Sequence, residues 1–454
     1  MGISMEHSFT TIGKIGLEGL MDRANIAFTS GYRFQGNINV ILLQQSIETV
    51  CQCIDKFSFQ VNFISQDNYA WQQAETPIFS LHTLQSNNLE EAFTQVCQHS
   101  HKTFEAQNYV PMFFTLILGT NPSEENEFII AQTSCHTHVD ARSSEVIFNN
   151  IIDYYNALYK QSNTEKEGII AATQQLKTVD SDIVIKQRFE MNSTANHEKN
   201  IEGITDYSIE DLGQHAIAMT ALDKLLPKYK QTERSPITQH FDVHSLLTTI
   251  RHEYSNVTKN SVACACIVKA LYHINVQQKG LAADHQISFK MLSDILTPAM
   301  RQQYTGNYIA FVPVTVNAGN SIAEIANEIN DRIIEFKTNN IDVSVFALTE
   351  DAISQGLVGT ADEPLSFVVT NWNNFTFNNQ EDYLADCTSI RHQSGVNIEP
   401  KDNLGAALVN RPVFVINFSP NDELCISQFP SLDSAKVNQN IAIQLDHVFL
   451  NAGK

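Results

Sequence analysis

A two-domain α+β protein is the fold class that the sequence predicts, and three observations predict it. The 454 residues exceed what one ordinary core organises and suit two domains. With 43% hydrophobic and 17% charged residues the composition is that of a globular chain, and no segment reads as disordered. Short β-like runs mix with amphipathic helical stretches without regular βαβ alternation, which favours two α+β layers over a doubly wound parallel sheet. No fixed-period repeat is visible, so solenoids and propellers are not expected.

Taken in order, an apolar run at Ile26 to Phe34 is punctuated by Gly36-Asn37-Ile38-Asn39 and leads into a helical pattern from Val40 to Cys53. Phe57, Phe59, Val61 and Phe63 alternate with polar residues, the signature of a half-buried strand over Phe57 to Ile64. Met112 to Gly119 and Glu127 to Ser134 read as strands around the turn Asn121-Pro122-Ser123. Ile147, Phe148, Ile151, Ile152, Tyr155 and Leu158 then recur at helical spacing, with Ser143 or Ser144 as the expected cap. The polar region from Gln161 to Ser235 has weak periodicity and is read as a partly helical crossover. Beyond it come a helix from Thr258 to about His273, a strand from Tyr308 to Val316 and a helix from Ile322 to Phe336 opened by the capping box Ser321-Ile322-Ala323-Glu324. Strands at Val343 to Leu348, Leu365 to Thr370 and Val413 to Phe418 complete the second half.

A net charge of -21 argues against nucleic acid and anionic membrane surfaces as partners, while leaving room for a small anionic ligand at a local positive patch. Met1 to Thr11 has neither a basic n-region nor an apolar h-region, and Glu6 replaces the hydroxyl residue of a myristoylation signal. The eight cysteines form two C-x-C pairs and no C-x-x-C, so zinc-ribbon and thioredoxin readings fail. Reduced thiols in a cytoplasmic protein are the expectation.

Chemistry concentrates in Phe128 to Ser144, FIIAQTSCHTHVDARSS, where a β-run ends and a helix begins. His136 and Asp140 are separated by three residues, so the carboxylate is near enough to orient the ring or its turn. A neutral imidazole is a suitable base for a hydroxyl or amine near neutral pH. The competing reading is a core histidine at a strand end. His138 shares the parity of His136, so a His-x-His metal site of hydrolases also enters. Cys135, on the opposite parity, reads as a buried thiol.

The stretch resembles the chloramphenicol-acetyltransferase-like superfamily, which includes peptide-synthetase condensation domains and the plant and fungal acyl-CoA-dependent acyltransferases. The plant-type HxxxDGxS motif is matched by His136-Thr-His-Val-Asp140-Ala141-Arg142-Ser143. Leu17 to Gly36 resembles the family's opening strand, Asn256-Val257-Thr258-Lys259-Asn260 its S-x-x-D segment, Tyr304-Thr305-Gly306-Asn307 its YFGN, with Asp294 and Pro298 before it, and Thr370-Asn371-Trp372 its T-S-W. The departures are Cys135 where condensation domains carry a first histidine, Ala141 in place of glycine, and no clean DFGWG, for which Asp382-Tyr383 or Asp386-Cys387 would stand.

The resemblance implies two similar α/β sandwich domains with a tunnel between them: residues 1–180 carrying the motif, a crossover at 181–235, and residues 236–454. It implies a monomeric acyltransferase that moves an acyl group from acyl-CoA, a co-substrate and not a permanent cofactor, to a small-molecule alcohol or amine. His136 would be the general base. Asp140 would secure the loop through an arginine that the sequence does not identify. Asn371 and Trp372 would line the tunnel and polarise the carbonyl, although a tryptophan is more often core than tunnel wall. For the CoA phosphates, the helix start at Thr258 with Lys259 offers backbone N–H groups and a favourable dipole, though Thr258 is first a cap. Lys228, Lys230 and Arg234 form the densest basic cluster and otherwise a solvated linker. An enzyme drawing its acyl group from an acyl carrier protein, and a non-catalytic binding relative, are the alternatives.

Overall fold

The computed structural model describes residues 17–65, 68–73, 77–107, 110–122, 126–204, 211, 215, 217, 219–231, 236–354, 365–374, 384–419, 422–429 and 435–452. The strands are β1 (Ile26–Gly36), β2 (Phe59–Ser65), β3 (Asn68–Gln73), β4 (Leu81–Ser86), β5 (Met112–Gly119), β6 (Glu127–Cys135), β7 (Ile237–Asp242), β8 (Gln286–Asp294), β9 (Ile309–Asn317), β10 (Phe367–Asn374), β11 (Cys387–Ile398), β12 (Val413–Phe418) and β13 (Glu423–Phe429). Two units form. The first holds Met1–Lys186, Leu296–Tyr308 and Phe375–Asn397, and the second holds Gln187–Ile295, Ile309–Asn374 and Ile398–Lys454.

In the first unit a five-stranded sheet runs β11-β1-β6-β5-β4, beside the hairpin β2-β3. β6 is antiparallel to both β1 and β5, so its side chains sit at the centre of the sheet, and β4 joins β5 in parallel. One face is covered by the helix Leu89–Gln98, whose Leu89, Ala92, Phe93 and Cys97 pack on Ile117, Ile129 and Ala131. The helix Ala141–Tyr159 belongs with Tyr32 of β1, which stacks on Phe148 with ring centroids 3.8 Å apart. Each fully buried aromatic of this kind contributes about 1.5–3 kcal/mol of apolar transfer.

In the second unit a six-stranded mixed sheet runs β7-β13-β12-β10-β8-β9, with β10 parallel to both β8 and β12. Its centre is the triplet Phe289, Phe367 and Phe414, the first pair stacked at 4.5 Å. The helix Lys259–Lys279 lies buried along most of its length and packs against the helices Ile322–Thr338 and Ala435–Ala452. The expected capping box at Ser321 and Glu324 is present, each side chain bonding the other's backbone N–H.

Two strand expectations change. Val343 to Leu348 is not a strand but lies inside the helix Ile341–Ser354, with Val343 and Phe346, three residues apart, both buried. A six-residue apolar run carries no decisive period, and the neighbouring elements settle the choice. Asp55–Ser58 is a 3₁₀ turn, so the strand expected from Phe57 begins at Phe59. The crossover region contains the helices Asn163–Gln174, Ser181–Met191, His197–Gly203 and Met219–Gln231. Ser123, Arg234, Asp382, Tyr383 and the segment Met1 to Thr11 lie outside the described residues.

Candidate active site

β6 ends at Cys135, and His136 extends its ladder by one bond, its N–H donating to the carbonyl of Ile26 at 2.9 Å. The chain then turns and enters the helix at Ala141. The cap is Asp140, whose Oδ1 accepts from the Ser143 N–H at 2.7 Å, and not Ser143 or Ser144 as the serine pattern suggests. Aspartate is as good a cap as serine, and here it sits at the residue where the backbone is still extended. Ala141 is the first helical residue, so alanine stands in the glycine position of the motif at no conformational cost.

Asp140 is fully buried and its partner is Arg301, from the short helix Pro298–Arg301. Arg301 Nη2 donates to Asp140 Oδ2 at 2.9 Å, and Nη1 donates to Ser143 Oγ at 2.9 Å. Ser143 Oγ accepts also from the Gly306 N–H at 3.0 Å and donates to the Gly306 carbonyl at 3.1 Å, which uses its whole hydrogen-bonding capacity. The Asp140 N–H donates to the same Gly306 carbonyl at 3.0 Å, and Tyr308 N–H donates to Asp140 Oδ2 at 3.2 Å. Burial opposes the Asp140 charge, but the Arg301 guanidinium and these N–H donors outweigh it and hold the carboxyl below its ordinary range. Gly306 has φ +152°, and a Cβ there would lie 3.1 Å from the Tyr308 ring, so glycine is required where the segment passes. Lys177 clamps that segment from the other side, exchanging backbone bonds with Gln303 and Thr305 at 2.8 and 2.9 Å.

The segment delivers Asn307 to His136. Asn307 Oδ1 lies 2.9 Å from His136 Nδ1, while Asn307 Nδ2 donates to the carbonyls of His136 at 2.8 Å and Thr137 at 3.2 Å. The edge of Phe28 completes the mounting, with ring centroids 5.0 Å apart. The imidazole is half-buried, and among the described residues Nε2 makes no protein hydrogen bond. Desolvation lowers the His136 pKa; its own backbone, Asp140 and Asn307 act in the opposite direction and do not restore it. The ring is therefore neutral at pH 7.

His138 goes elsewhere. It is buried, with Nε2 3.0 Å from the Phe59 carbonyl and its ring edge-on to Trp71 at 5.0 Å, and desolvation brings its pKa down to about 4. His136 and His138 thus do not share a strand face, because the strand ends at Cys135 and both lie in the turn that follows. Among the described residues no group of three or more His, Cys, Asp or Glu is placed to hold a metal ion. Cys135 packs against the cluster of Ala27, Phe104, Val110 and Phe113.

The remaining candidates lie in the second unit. Asn371 and Trp372 are adjacent on β10, the first partly exposed and the second buried, where the register with β12 shifts. Thr258 caps the helix Lys259–Lys279 through Ser261 N–H at 3.2 Å. A cavity of about 530 Å³ opens there, lined by Arg251, Asn256, Thr258, Lys259, Asn260 and Phe418 among others. The Lys259 ammonium is ion-paired to Asp422, which also accepts from His244 Nδ1 at 3.1 Å. Lys228 and Lys230 are on the helix Met219–Gln231, and Lys230 Nζ donates to the Lys401 carbonyl at 3.0 Å. Sequence reasoning expected an arginine for Asp140 without identifying Arg301, missed Asp422, and took Asn307 only as part of a motif.

No protein-family profile matches the sequence, and no curated protein matches it. Solved structures do. Trichothecene 15-O-acetyltransferase from Fusarium sporotrichioides aligns with TM-score 0.62 and 9% identity over 98% of this chain and 94% of its own. Polyketide synthase associated protein 5 from Mycobacterium tuberculosis gives 0.61 and 11% over 97% and 99%. The starter condensation domain of rhizomide synthetase, solved with C8-CoA, gives 0.55 and 11% over 95% and 90%. The fold is that of the chloramphenicol-acetyltransferase-like superfamily. The alignment spans nearly the whole chain, so both units share this fold. No helix among the described residues is long and apolar enough to cross a membrane.

Proposed function

We propose that the chain is an acyltransferase that moves an acyl group from a CoA thioester to a hydroxyl or amine of a small molecule, with His136 as general base. The observation that carries this reading is the half-buried His136 ring, held through Nδ1, with no protein hydrogen bond to Nε2 among the described residues and a pKa that burial lowers. In the reaction Nε2 removes the acceptor proton as its oxygen or nitrogen attacks the thioester carbonyl. The tetrahedral intermediate then expels the thiolate, which takes that proton back. A positioned base is worth on the order of 10²–10⁴ in rate, and alignment of the two substrates about 7–11 kcal/mol in favourable cases. Asp140 keeps the turn in place through Arg301 and does not touch the reactants. As the sequence resemblance implies, Asn371 and Trp372 would polarise the carbonyl, and Thr258 and Lys259, with the basic cluster Lys228, Lys230 and Arg234, would take the CoA phosphates. The CoA and the acetyltransferase activity named for the structural neighbours support the donor class.

The purified chain, given short- and medium-chain acyl-CoAs and a panel of small alcohols and amines, is expected to release free thiol above the blank. His136→Gln should lower that rate by on the order of 100-fold or more while keeping the melting temperature. An unchanged rate in His136→Gln removes the assignment. A second reading, delivery of the acyl group by a carrier protein, draws on the Lys259–Asp422 pair, which occupies a cation otherwise available to phosphate. Consumption of a carrier-bound thioester with no acyl-CoA turnover would favour it.

A further inference from the structure

The three contacts of Asn307 determine the protonation pattern of His136. Backbone carbonyls only accept, so the end of the Asn307 amide that faces the carbonyls of His136 and Thr137 must be the nitrogen. Both of its hydrogens are then committed, and the end facing the imidazole 2.9 Å away must be the oxygen. An amide oxygen also only accepts, so Nδ1 must carry the proton, and a neutral ring with Nδ1–H has its lone pair on Nε2. The amide has no alternative orientation, because a flip would set Oδ1 against two carbonyl oxygens. Asn307 is itself buried, and its segment is fixed by Gly306, Tyr308 and Lys177.

We propose that Asn307 is a positioning residue that sets the tautomer of His136, holding Nδ1 protonated so that the Nε2 lone pair faces the acceptor. The role rests on the reading of His136 as general base, but the tautomer itself exists in the resting protein. The His136 backbone carbonyl also bonds the ring and is the competing source of the same order. The charged groups around the ring are Asp140 and, beyond it, Arg301, and their pairing leaves neither to dictate which ring nitrogen is protonated.

The test uses the full chain with ¹⁵N-labelled histidine, and the His136 signals are assigned by their loss in His136→Gln. The wild type is expected to show a pyrrole-type Nδ1 and a pyridine-type Nε2 at pH above the ring pKa. In Asn307→Ala the two should move toward averaged values, with kcat down by on the order of 10–100-fold and KM for acyl-CoA unchanged. A pyrrole-type Nε2 in the wild type overturns the proposal outright. So does an Asn307→Ala spectrum and kcat identical to wild type, which would hand the role to the backbone carbonyl. If Asn307→Ala does not fold, the wild-type spectrum and Asn307→Ser decide in the same terms. Activity surviving in His136→Gln would sink the general-base reading, whereas the spectrum reports the tautomer without substrate, so the two failures are distinguishable.

Discussion

Arg301 Nη2 meets Asp140 Oδ2 at 2.9 Å across 161 residues of sequence, inside the first unit and almost entirely out of water. The same guanidinium spends its other arm on Ser143 Oγ, so one side chain fixes both the cap and the first turn of the helix behind His136. Removing one member of such a pair leaves a buried charge uncompensated. Arg301→Leu should cost about 3–5 kcal/mol in urea unfolding, and Arg301→Lys should recover only part, since an ammonium cannot reach both partners in the same geometry. A loss under about 1 kcal/mol would mean that Asp140 is solvated or neutral.

Acid stability follows from the buried histidines. His138, His215 and His392 have folded pKa values near 4, set chiefly by burial, against an ordinary value of 6.5. In that interval the unfolded chain binds protons that the folded chain refuses, so stability is complete above 6.5 and is lost as pH falls toward 4. His138→Leu should flatten the slope of unfolding free energy against pH by up to about 1.4 kcal/mol per unit between those limits. Asp140 acts lower. Its folded pKa is depressed, so its contribution is present above the unfolded carboxyl value and disappears as pH drops through the folded one. An unchanged slope in His138→Leu contradicts the burial of that ring.

Burial also lowers the pKa of His136, so the acid limb of kcat/KM should lie below 6.5. Asn307→Ala would remove the acceptor that steadies the imidazolium through Nδ1 and move the limb to still lower pH. A wild-type limb at or above 6.5, or no movement in the variant, would contradict the environment described for the ring.

Asp422 pairs with Lys259, one of the residues lining the cavity by the helix Lys259–Lys279. Asp422→Asn should free the ammonium and tighten CoA binding by on the order of 3- to 10-fold at low salt, with the gain fading as salt is raised. Calorimetric titration with CoA and with dephospho-CoA reads this directly. Equal affinity in wild type and variant places the phosphates away from Lys259.

Much of the first unit was readable because its strands carry their own signal. Met112 to Gly119 and Glu127 to Ser134 are dense apolar runs bounded by turn residues, and they appear as β5 and β6 almost residue for residue. His136 and Asp140 were visible through spacing and context at a strand end. Arg301 was not, because an arginine that pairs across 161 residues leaves no local periodicity to detect. Asn307 was visible only as a motif letter; what it does depends on which atoms its amide faces, and that is settled by the backbone of residues 136 and 137. Ser143 was misplaced as a cap since its hydroxyl looks like one in sequence, while the structure spends it on Arg301 and Gly306. Val343 to Leu348 failed for another reason. Its residues suit either state, and Asn340 at φ +53° starts the helix that decides between them.

The first unit takes back Leu296–Tyr308 from late in the chain. During synthesis His136 therefore leaves the ribosome long before Arg301 and Asn307 exist to receive it. A truncated product ending anywhere in the crossover would carry the histidine and the aspartate yet lack the residues that order them. On the function proposed above such fragments would lack an ordered base, and complementation by a co-expressed C-terminal piece would have to rebuild a sheet-bound turn from two separate chains.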